Sequence, residues 1–410
     1  MWDKLLDYML GRFVRTGTLI LHMPDGTVLH HGDGSPPEVA VRLHDEGLPR
    51  RLVSNVELVV GEAYMDGTLT IDDDDLHALI ELALRNMVSG HGAPWQRTLV
   101  AARNWLRIAA QFNPIHRARR NVAHHYDLSG DLYDLFLDAD RQYSCAYFRN
   151  PDDTLEAAQA HKKAHIATKL MLEPDMRVLD IGCGWGGMAL TLARDHGVKV
   201  LGITLSQEQL SRARERAHEA GLEDRVEFRL TDYRSLLGQF DRIVSVGMFE
   251  HVGVPHYRTY FRKLRTLLSD DGVALIHTIG RNMPPGSANP WLNKYIFPGG
   301  YTPAMSEVLK AIEKENLWAT DIEIWRLHYA RTLHHWQQRF EANIDEVRAL
   351  YDERFCRMWR FYLVGCEQAF RFGRQCVYQF QLAKQIDAVP LTRDYIYAAP
   401  TSQMSQAAAE

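Results

Sequence analysis

The chain from about residue 177 onward alternates between short apolar runs and longer amphipathic stretches. The apolar runs have the length of strands and lie at 177–182, 199–204, 225–231, 241–246 and 273–279. Regular alternation of strands and helices predicts a doubly wound α/β fold with a mostly parallel sheet. Two later runs, 321–327 and 377–383, would complete a seven-stranded sheet at one edge.

The first 88 residues predict a separate, small α+β unit. They begin with apolar residues at the spacing of an amphipathic helix, namely Trp2, Leu5, Leu6, Met9 and Phe13. This helix packs on its own unit or, as the alternative, contacts a membrane surface. Turn signals then divide three short apolar runs, at 18–22, 27–31 and 58–64, which we interpret as strands. Four aspartates at 72–75 suit the positive end of a helix dipole, so they indicate a closing helix to about residue 86 rather than a metal site.

Residues 91–126 form a basic segment that has six arginines and neither Asp nor Glu. An apolar stripe also runs along this segment, so we assign 89–125 to an amphipathic linker. The linker either lies on an anionic lipid surface or is an interdomain helix with a solvated basic face. A catalytic domain is predicted over 126–396, and the small, polar residues 397–410 are predicted to be disordered.

Composition excludes several classes of protein. The net charge is −5 and 46% of the residues are hydrophobic, which is typical of a globular protein and not of a disordered or nucleic-acid-binding one. No uncharged apolar run reaches the roughly 18 to 20 residues that cross a bilayer, and the first residues do not resemble a signal peptide. The five cysteines are an odd number without a Cys-x-x-Cys pair, so we expect a reducing, cytoplasmic location, no disulfides and no metal.

A glycine-rich turn follows the first strand of the predicted sheet and precedes a helix. It reads Gly182-Cys-Gly184-Trp-Gly186-Gly187 and comes just after Asp180. Glycines let the backbone approach a ligand closely, and a strand–turn–helix context is typical of a nucleotide-type cofactor loop. The spacing fits both the dinucleotide fingerprint and the Asp-x-Gly-x-Gly-x-Gly pattern of methyltransferases, so the glycines alone leave both open.

The next two strands favour S-adenosylmethionine over NAD. An NAD site usually ends its second strand with Asp or Glu to hold the ribose, whereas this chain has Thr204 and then Gln209. After the third strand, Asp232 and Tyr233 stand where S-adenosylmethionine enzymes place an acidic group for the adenine amino group.

Six motifs between about residues 120 and 385 resemble the cyclopropane-fatty-acyl-phospholipid synthases and the related mycolic acid cyclopropane synthases. The motifs are His125-Tyr-Asp-Leu-Ser129, Tyr143-Ser-Cys145-Ala-Tyr-Phe148, Leu179-Asp-Ile-Gly-Cys-Gly-Trp-Gly-Gly187, Asp241-Arg-Ile-Val-Ser-Val-Gly-Met-Phe-Glu250-His-Val-Gly253, His277-Thr-Ile-Gly280 and Tyr295-Ile-Phe-Pro-Gly-Gly300. The resemblance implies a class I S-adenosylmethionine-dependent methyltransferase fold. The N-terminal unit is also similar to the lipid-binding domain of the phospholipid-modifying branch, so the implied substrate is an unsaturated membrane phospholipid.

The resemblance also implies a set of catalytic residues. In this family, methyl transfer to an alkene leaves a carbocation on the acyl chain, which aromatic faces and a carboxylate can stabilise. A bound bicarbonate is implied to take the proton that lets the ring close. The positions that match its cradle are Cys145, Glu250, His277, the backbone of Ile279, and Tyr329. Glu250 can accept the bicarbonate hydroxyl proton, and the histidine, the tyrosine and an amide can donate to its oxygens.

For S-adenosylmethionine, the resemblance implies contacts from several parts of the chain. Tyr143 and Ser144 match the methionine end, Gly182, Gly184 and Gly186 the loop, Thr204 and Gln209 the ribose side, and Asp232 with Tyr233 the adenine. Asp180 is expected to orient the glycine loop.

Cys366 matches a cysteine once considered catalytic in this family. Its helical, apolar setting favours a buried structural thiol, because the chemistry requires no thiolate. Two other functions stay open: a sister methyltransferase that leaves a methyl or methylene branch, and a catalytically silent lipid-binding protein. The expected partners are a membrane surface on the inner face and, from the family, a second copy of the chain; nucleic acid is not expected.

Overall fold

The computed structural model describes residues 1–88 and 130–397. The predicted linker, the motif at 125–129 and nearly all of the predicted tail lie outside the described residues. Residues 1–88 fold as α1 (Trp2–Phe13), β1 (Thr18–His22), β2 (Val28–Gly32), β3 (Glu38–Leu43), α2 (Leu48–Met65), β4 (Leu69–Ile71) and α3 (Leu76–Val88). The four strands form a sheet in the order β2-β1-β3-β4, in which β1 and β3 are parallel.

The interpretation of residues 58–64 as a strand is wrong, because they lie in the second half of α2. Asn55 departs from helical geometry with φ of −158°, which divides α2 shortly before this apolar run. The helix is also buried on two sides. Val59 belongs to the core of the N-terminal unit, whereas Gly61 lies against Trp291 of the catalytic domain. Burial on two sides hides the helical periodicity on which a prediction depends. The sequence pattern also missed β3 and β4.

The aspartates at 72–75 have separate roles. Asp75 accepts a hydrogen bond from an amide in the first turn of α3 at 2.9 Å, which confirms it as a cap. Asp72 instead forms an ion pair with Arg42 at 2.8 Å, and Asp74 forms one with Arg360 of the catalytic domain at 3.1 Å. The acidic turn therefore contributes to the contact between the two parts of the chain.

The rest of the described chain forms an α/β domain. Its elements are α4 (Gly130–Phe136), α5 (Leu155–Leu170), β5 (Arg177–Ile181), α6 (Gly187–His196), β6 (Lys199–Thr204), α7 (Gln207–Glu219), β7 (Val226–Leu230), β8 (Phe240–Val246), α8 (Tyr257–Leu267), β9 (Leu268–Arg281), α9 (Pro290–Tyr295), α10 (Met305–Lys314), β10 (Trp318–Trp325), α11 (His328–Ala342), α12 (Ile344–Leu350), α13 (Glu353–Arg371), β11 (Gln375–Ala383) and α14 (Asp394–Tyr397). The strand order is β10-β11-β9-β8-β5-β6-β7, and β11 is antiparallel to both of its neighbours. The predicted seven-stranded, mostly parallel sheet is confirmed, including the addition of the two late strands at one side.

A layer of aromatic side chains covers the end of the sheet where the parallel strands finish. It is built from α4, α11 and α13 around Phe136, Trp336 and Trp359, and it includes Trp325 at the end of β10. Helix α13 also packs against the N-terminal unit, whose core includes Val364. Among the described residues, no helix is both long enough and apolar enough to cross a membrane. Trp185 of the glycine-rich turn belongs to the same aromatic cluster, so this turn lies against a buried, largely apolar region.

Candidate active site

A cavity lies at the carboxyl ends of β5, β6 and β8, where ligands of open α/β sheets usually bind. The predicted cofactor residues that line it are Tyr143, Ser144, Asp180, Gly182, Gly184, Thr204, Gln209, Asp232 and Tyr233. Gly186 is not part of this lining. Its φ is +86°, and a Cβ there would lie 2.7 Å from the ring of Phe228, so this glycine serves the close packing of α6 on β7.

Thr204 and Gln209 are joined by a hydrogen bond on the second strand's side of the cavity. The oxygen Oγ1 of Thr204 lies 2.9 Å from Oε1 of Gln209 and accepts a hydrogen bond from the amide of Ser206 at 3.1 Å. The threonine hydroxyl therefore donates to the glutamine oxygen, which leaves the Gln209 amide nitrogen as the donor for a ligand. A neutral donor suits a ribose hydroxyl, whose oxygen can accept.

Asp232 is held by Arg234, which also lines the cavity and which the sequence interpretation missed. The guanidinium of Arg234 donates to both oxygens of Asp232, at 2.8 and 2.7 Å, and its backbone amide donates at 2.9 Å. An adenine at this position would therefore meet a fixed carboxylate already paired with a cation. The only signal for Arg234 in the sequence was its position next to Asp232 and Tyr233.

Asp180 is buried in the wall of the cavity, and its Oδ2 makes no hydrogen bond within the described chain. Burial raises the pKa of this carboxyl to about 7, although the charge of Lys162 opposes the shift. Among the described residues, no hydrogen bond joins Asp180 to the glycine loop. No direct contact therefore supports the expectation that Asp180 orients this loop. A buried, open acceptor in a cofactor cavity fits a donor on the ligand, such as the ammonium group of S-adenosylmethionine.

Glu250 lies in the short turn Phe249–His251 after β8, between cavity-lining residues 248 and 251. Its Oε1 accepts a hydrogen bond from the backbone amide of Ile279 at 2.6 Å, whereas its buried Oε2 makes none among the described residues. Burial raises the pKa of Glu250 to about 7 against the opposing hydrogen bond from Ile279. The amide of Ile279, expected to donate to bicarbonate, is thus used to hold Glu250 instead.

His277 lies on β9, two residues before Ile279, and its ring packs edge-on against Trp325 with centroids 5.1 Å apart. Burial, with a smaller effect from the charge of Lys162, lowers the pKa of His277 to about 3, so the ring is neutral near pH 7. The side-chain nitrogen of Gln379 lies 3.1 Å from Nδ1. In this orientation of the Gln379 amide its nitrogen donates to Nδ1, which assigns the ring proton to Nε2. Gln379 was missed, although a glutamine inside the apolar run 377–383 was a usable signal.

The remaining catalytic candidates lie in the aromatic layer. Cys145 and Tyr329 belong to one apolar cluster, the partly buried Ile279 packs against it, and Trp325 of that cluster contacts His277. The Cys145 thiol donates to the carbonyl of the next residue at 3.4 Å, and burial raises its pKa. The structure therefore connects Cys145, Tyr329 and, through Trp325, His277 to the same large cluster, and the Cys145 thiol donates to the backbone.

Cys366 lies on α13 and packs against the same aromatic cluster. Burial raises the pKa of its thiol to about 12, which keeps it protonated near neutral pH. It does not line the cofactor cavity. This setting agrees with a structural thiol rather than a nucleophile.

Comparison with known proteins shows the family. The model of the mycolic acid cyclopropane synthetase family matches residues 114–380. The chain belongs to this family. A second model, described as a domain of unknown function, matches residues 9–91. The cyclopropane-fatty-acyl-phospholipid synthase of Escherichia coli K12 is 40% identical to this chain. The match covers 83% of this chain and 86% of the E. coli protein. A probable fatty acid methyltransferase of Pseudomonas putida is 36% identical over 92% of this chain and 97% of its own length.

A solved structure of the cyclopropane synthetase family supports the cofactor. Mycolic acid cyclopropane synthase CmaA1, complexed with SAH and CTAB, has a TM-score of 0.62 and 34% identity, and covers 66% of this chain and 99% of its own. The protein described here is therefore a methyltransferase of class I α/β fold, and S-adenosylmethionine is its methyl donor.

Proposed function

We propose that this enzyme converts cis double bonds of phospholipid acyl chains into cyclopropane rings, with S-adenosylmethionine as donor and bicarbonate as a bound base. The observation that carries the proposal is that Glu250 and His277 are each held next to residues of the cofactor cavity. One presents an open carboxylate oxygen and the other a neutral ring with its proton on Nε2. The amide of Gly247, a cavity residue, donates to the backbone carbonyl of His277 at 2.9 Å, which connects the strand of His277 to the cavity wall.

The chain's own residues suit the chemistry of a cation on an acyl chain. S-adenosylmethionine supplies an electrophilic methyl group. Tyr143 lines the cavity, stacks on Trp336 with centroids 5.1 Å apart, and shares a hydrogen bond of 2.8 Å with the hydroxyl of Tyr362. Such fixed aromatic faces stabilise positive charge without reacting with it. The surrounding buried cluster excludes water, which would otherwise capture a cation.

The residues present also fit bicarbonate. When bound, it would supply a base for the proton of the transferred methyl group. Glu250 Oε2 is an acceptor for its hydroxyl group, and the Nε2 proton of His277 is a donor for one of its oxygens. Tyr329 lies in the same cluster and carries a further hydroxyl. Glu250 itself would keep its hydrogen bond with Ile279.

The name of the E. coli relative, a cyclopropane-fatty-acyl-phospholipid synthase, supports a phospholipid substrate. Because phospholipid acyl chains lie in a bilayer, the proposal includes a peripheral position of the enzyme on the membrane during catalysis. The P. putida relative, named as a probable fatty acid methyltransferase, supports a second candidate, in which the product carries a branch instead of a ring.

Mass spectrometry of lipids from cells that express the parent or Glu250→Gln tests both candidates. We expect the parent to add one CH2 to phospholipid acyl chains with loss of one double bond, and the variant to leave the lipids unchanged. A CH2 gain with the double bond retained would establish the branching methyltransferase instead. Unchanged lipids in cells that contain folded parent protein would overturn the enzymatic proposal for phospholipids.

A further inference from the structure

Lys162 lies on α5 with its side chain wholly buried beneath the cofactor cavity. Its Nζ donates to Oε1 of Gln142 at 2.7 Å and to Oγ of Ser144 at 2.8 Å. Both acceptors line the cavity, whereas Lys162 itself does not. Moving an ammonium group from water into the protein interior costs free energy. The contacts of Lys162 with the cavity wall therefore need an explanation beyond packing.

The chemistry of an ammonium group fixes the hydrogen-bonding roles of its two partners. Because Lys162 can only donate, Ser144 Oγ accepts from it and the serine's own proton must go elsewhere. Gln142 likewise turns its oxygen to Lys162 and its nitrogen to Asp140, at 3.1 Å from Oδ2. The proton of the Ser144 hydroxyl is therefore left for another acceptor, and a ligand in the cavity that Ser144 lines could supply it.

We infer that Lys162 is a positioning residue for the methionine end of S-adenosylmethionine, where it orients the hydroxyl of Ser144 to donate to the ligand's carboxylate. The inference rests on the proposed placement of that end at Tyr143 and Ser144. The positive charge of Lys162 behind the serine favours an anionic group on the cavity side.

The backbone around Ser144 is held firmly enough for this orientation to matter. The side-chain nitrogen of Gln159 donates to the carbonyls of Ser144 and Gln142, at 2.9 and 3.2 Å. A Cβ at Gly187 would lie 2.3 Å from the Gln142 amide, so the segment presses directly on the first turn of α6. The wall and the glycine loop are therefore in contact.

The charge state of Lys162 agrees with this role. Burial lowers its pKa to about 8, and the neighbouring carboxylates of Asp138 and Asp140 oppose the shift. The ammonium form thus predominates near pH 7. Asp180 lies on the same cavity. Burial raises its pKa, and the charge of Lys162 opposes that shift.

The test compares two ligands in the full chain by calorimetry: S-adenosylhomocysteine, which carries the amino-acid end, and methylthioadenosine, which lacks it. We expect Lys162→Met and Ser144→Ala each to weaken S-adenosylhomocysteine binding on the order of ten-fold, and to leave methylthioadenosine binding nearly unchanged. The double variant should bind no more weakly than either single variant, because both changes remove the same interaction. If Lys162→Met does not fold, Lys162→Gln replaces it.

Lys169→Met is the matched control. Lys169 is equally buried on α5, but it pairs with Asp321 and Glu323 away from the cavity, so its loss should leave the affinity for S-adenosylhomocysteine unchanged. If Ser144→Ala weakens S-adenosylhomocysteine binding and Lys162→Met does not, the role of Lys162 is overturned while that of Ser144 stands. Equal weakening of both ligands by Lys162→Met would also overturn it and show a structural role. Parent-like binding by both single variants would overturn the placement of the methionine end itself.

Discussion

Glu250 and Ile279 are joined by a hydrogen bond of 2.6 Å from the isoleucine amide to one carboxylate oxygen. The bond connects the turn after β8 to the end of β9, its neighbour in the sheet. One oxygen is thus used to fix the side chain, while the buried second oxygen stays open among the described residues. This division lets a single carboxylate be both rigidly placed and available to a ligand.

We expect Glu250→Gln to fold and to bind S-adenosylmethionine like the parent but to lose turnover by roughly 100-fold or more. The amide oxygen can still accept from Ile279, so the position of the side chain is kept. Its second group becomes a neutral donor, which can neither accept a bicarbonate hydroxyl nor stabilise a cation as well. Turnover on unsaturated vesicles and calorimetry with S-adenosylhomocysteine measure the two effects. Parent-like turnover would remove Glu250 from the mechanism, and lost binding would make it a cofactor residue.

The raised pKa of Glu250 predicts a pH-dependent contribution to stability. Burial raises this pKa from 4.5 to about 7, so between these values the folded state holds a proton that the unfolded chain has released. The resulting stabilisation is present in full below pH 4.5 and is lost as the pH rises through about 7. Glutamine at this position does not titrate. We therefore expect the parent's free energy of unfolding, relative to Glu250→Gln, to fall by about 3 kcal/mol across this range. Urea unfolding at several pH values measures it, and a constant difference would show that Glu250 is ionised throughout.

The sequence predicted the sheet well because β5 to β8 are short apolar runs bounded by clear turns, and of the longer β9 it predicted the apolar part, 273–279. It failed at residues 58–64, where contacts with two separate parts of the protein make a helix apolar on both sides. The site residues could be named from motifs, but not the use of the Ile279 amide, which depends on the distance between the end of β9 and a turn after β8. Gln379 and Lys162 were missed for the same reason, since their roles come from contacts across the fold.

Gln379 fixes the proton of His277 on Nε2, so its replacement should lower turnover without affecting cofactor binding. In Gln379→Leu the ring loses its donor at Nδ1 and can place its proton on either nitrogen, and we expect a fall in turnover of roughly ten-fold. Gln379→Glu should be worse, because a carboxylate would draw the ring proton to Nδ1 and raise the pKa of His277. Nitrogen NMR of the imidazole reports the tautomer directly. An unchanged tautomer in both variants would show that the surrounding packing, not Gln379, sets it.

Bicarbonate itself provides the sharpest test of the proposed base. Two of the side chains implied for the bicarbonate cradle are poorly suited to take the proton themselves. His277 is neutral with its Nδ1 already occupied, and the Cys145 thiol, whose pKa is raised, donates to a carbonyl. In degassed, carbonate-depleted buffer at fixed pH, we therefore expect turnover on unsaturated vesicles to fall and added bicarbonate to restore it. Binding of S-adenosylhomocysteine should not change, which separates an effect on the base from one on the cofactor. Glu250→Gln should need more bicarbonate for half-maximal rate, because it lacks the acceptor for the bicarbonate hydroxyl. A rate that is independent of bicarbonate in the parent would mean that a protein group or water takes the proton, and the cradle would then have to be assigned to the substrate.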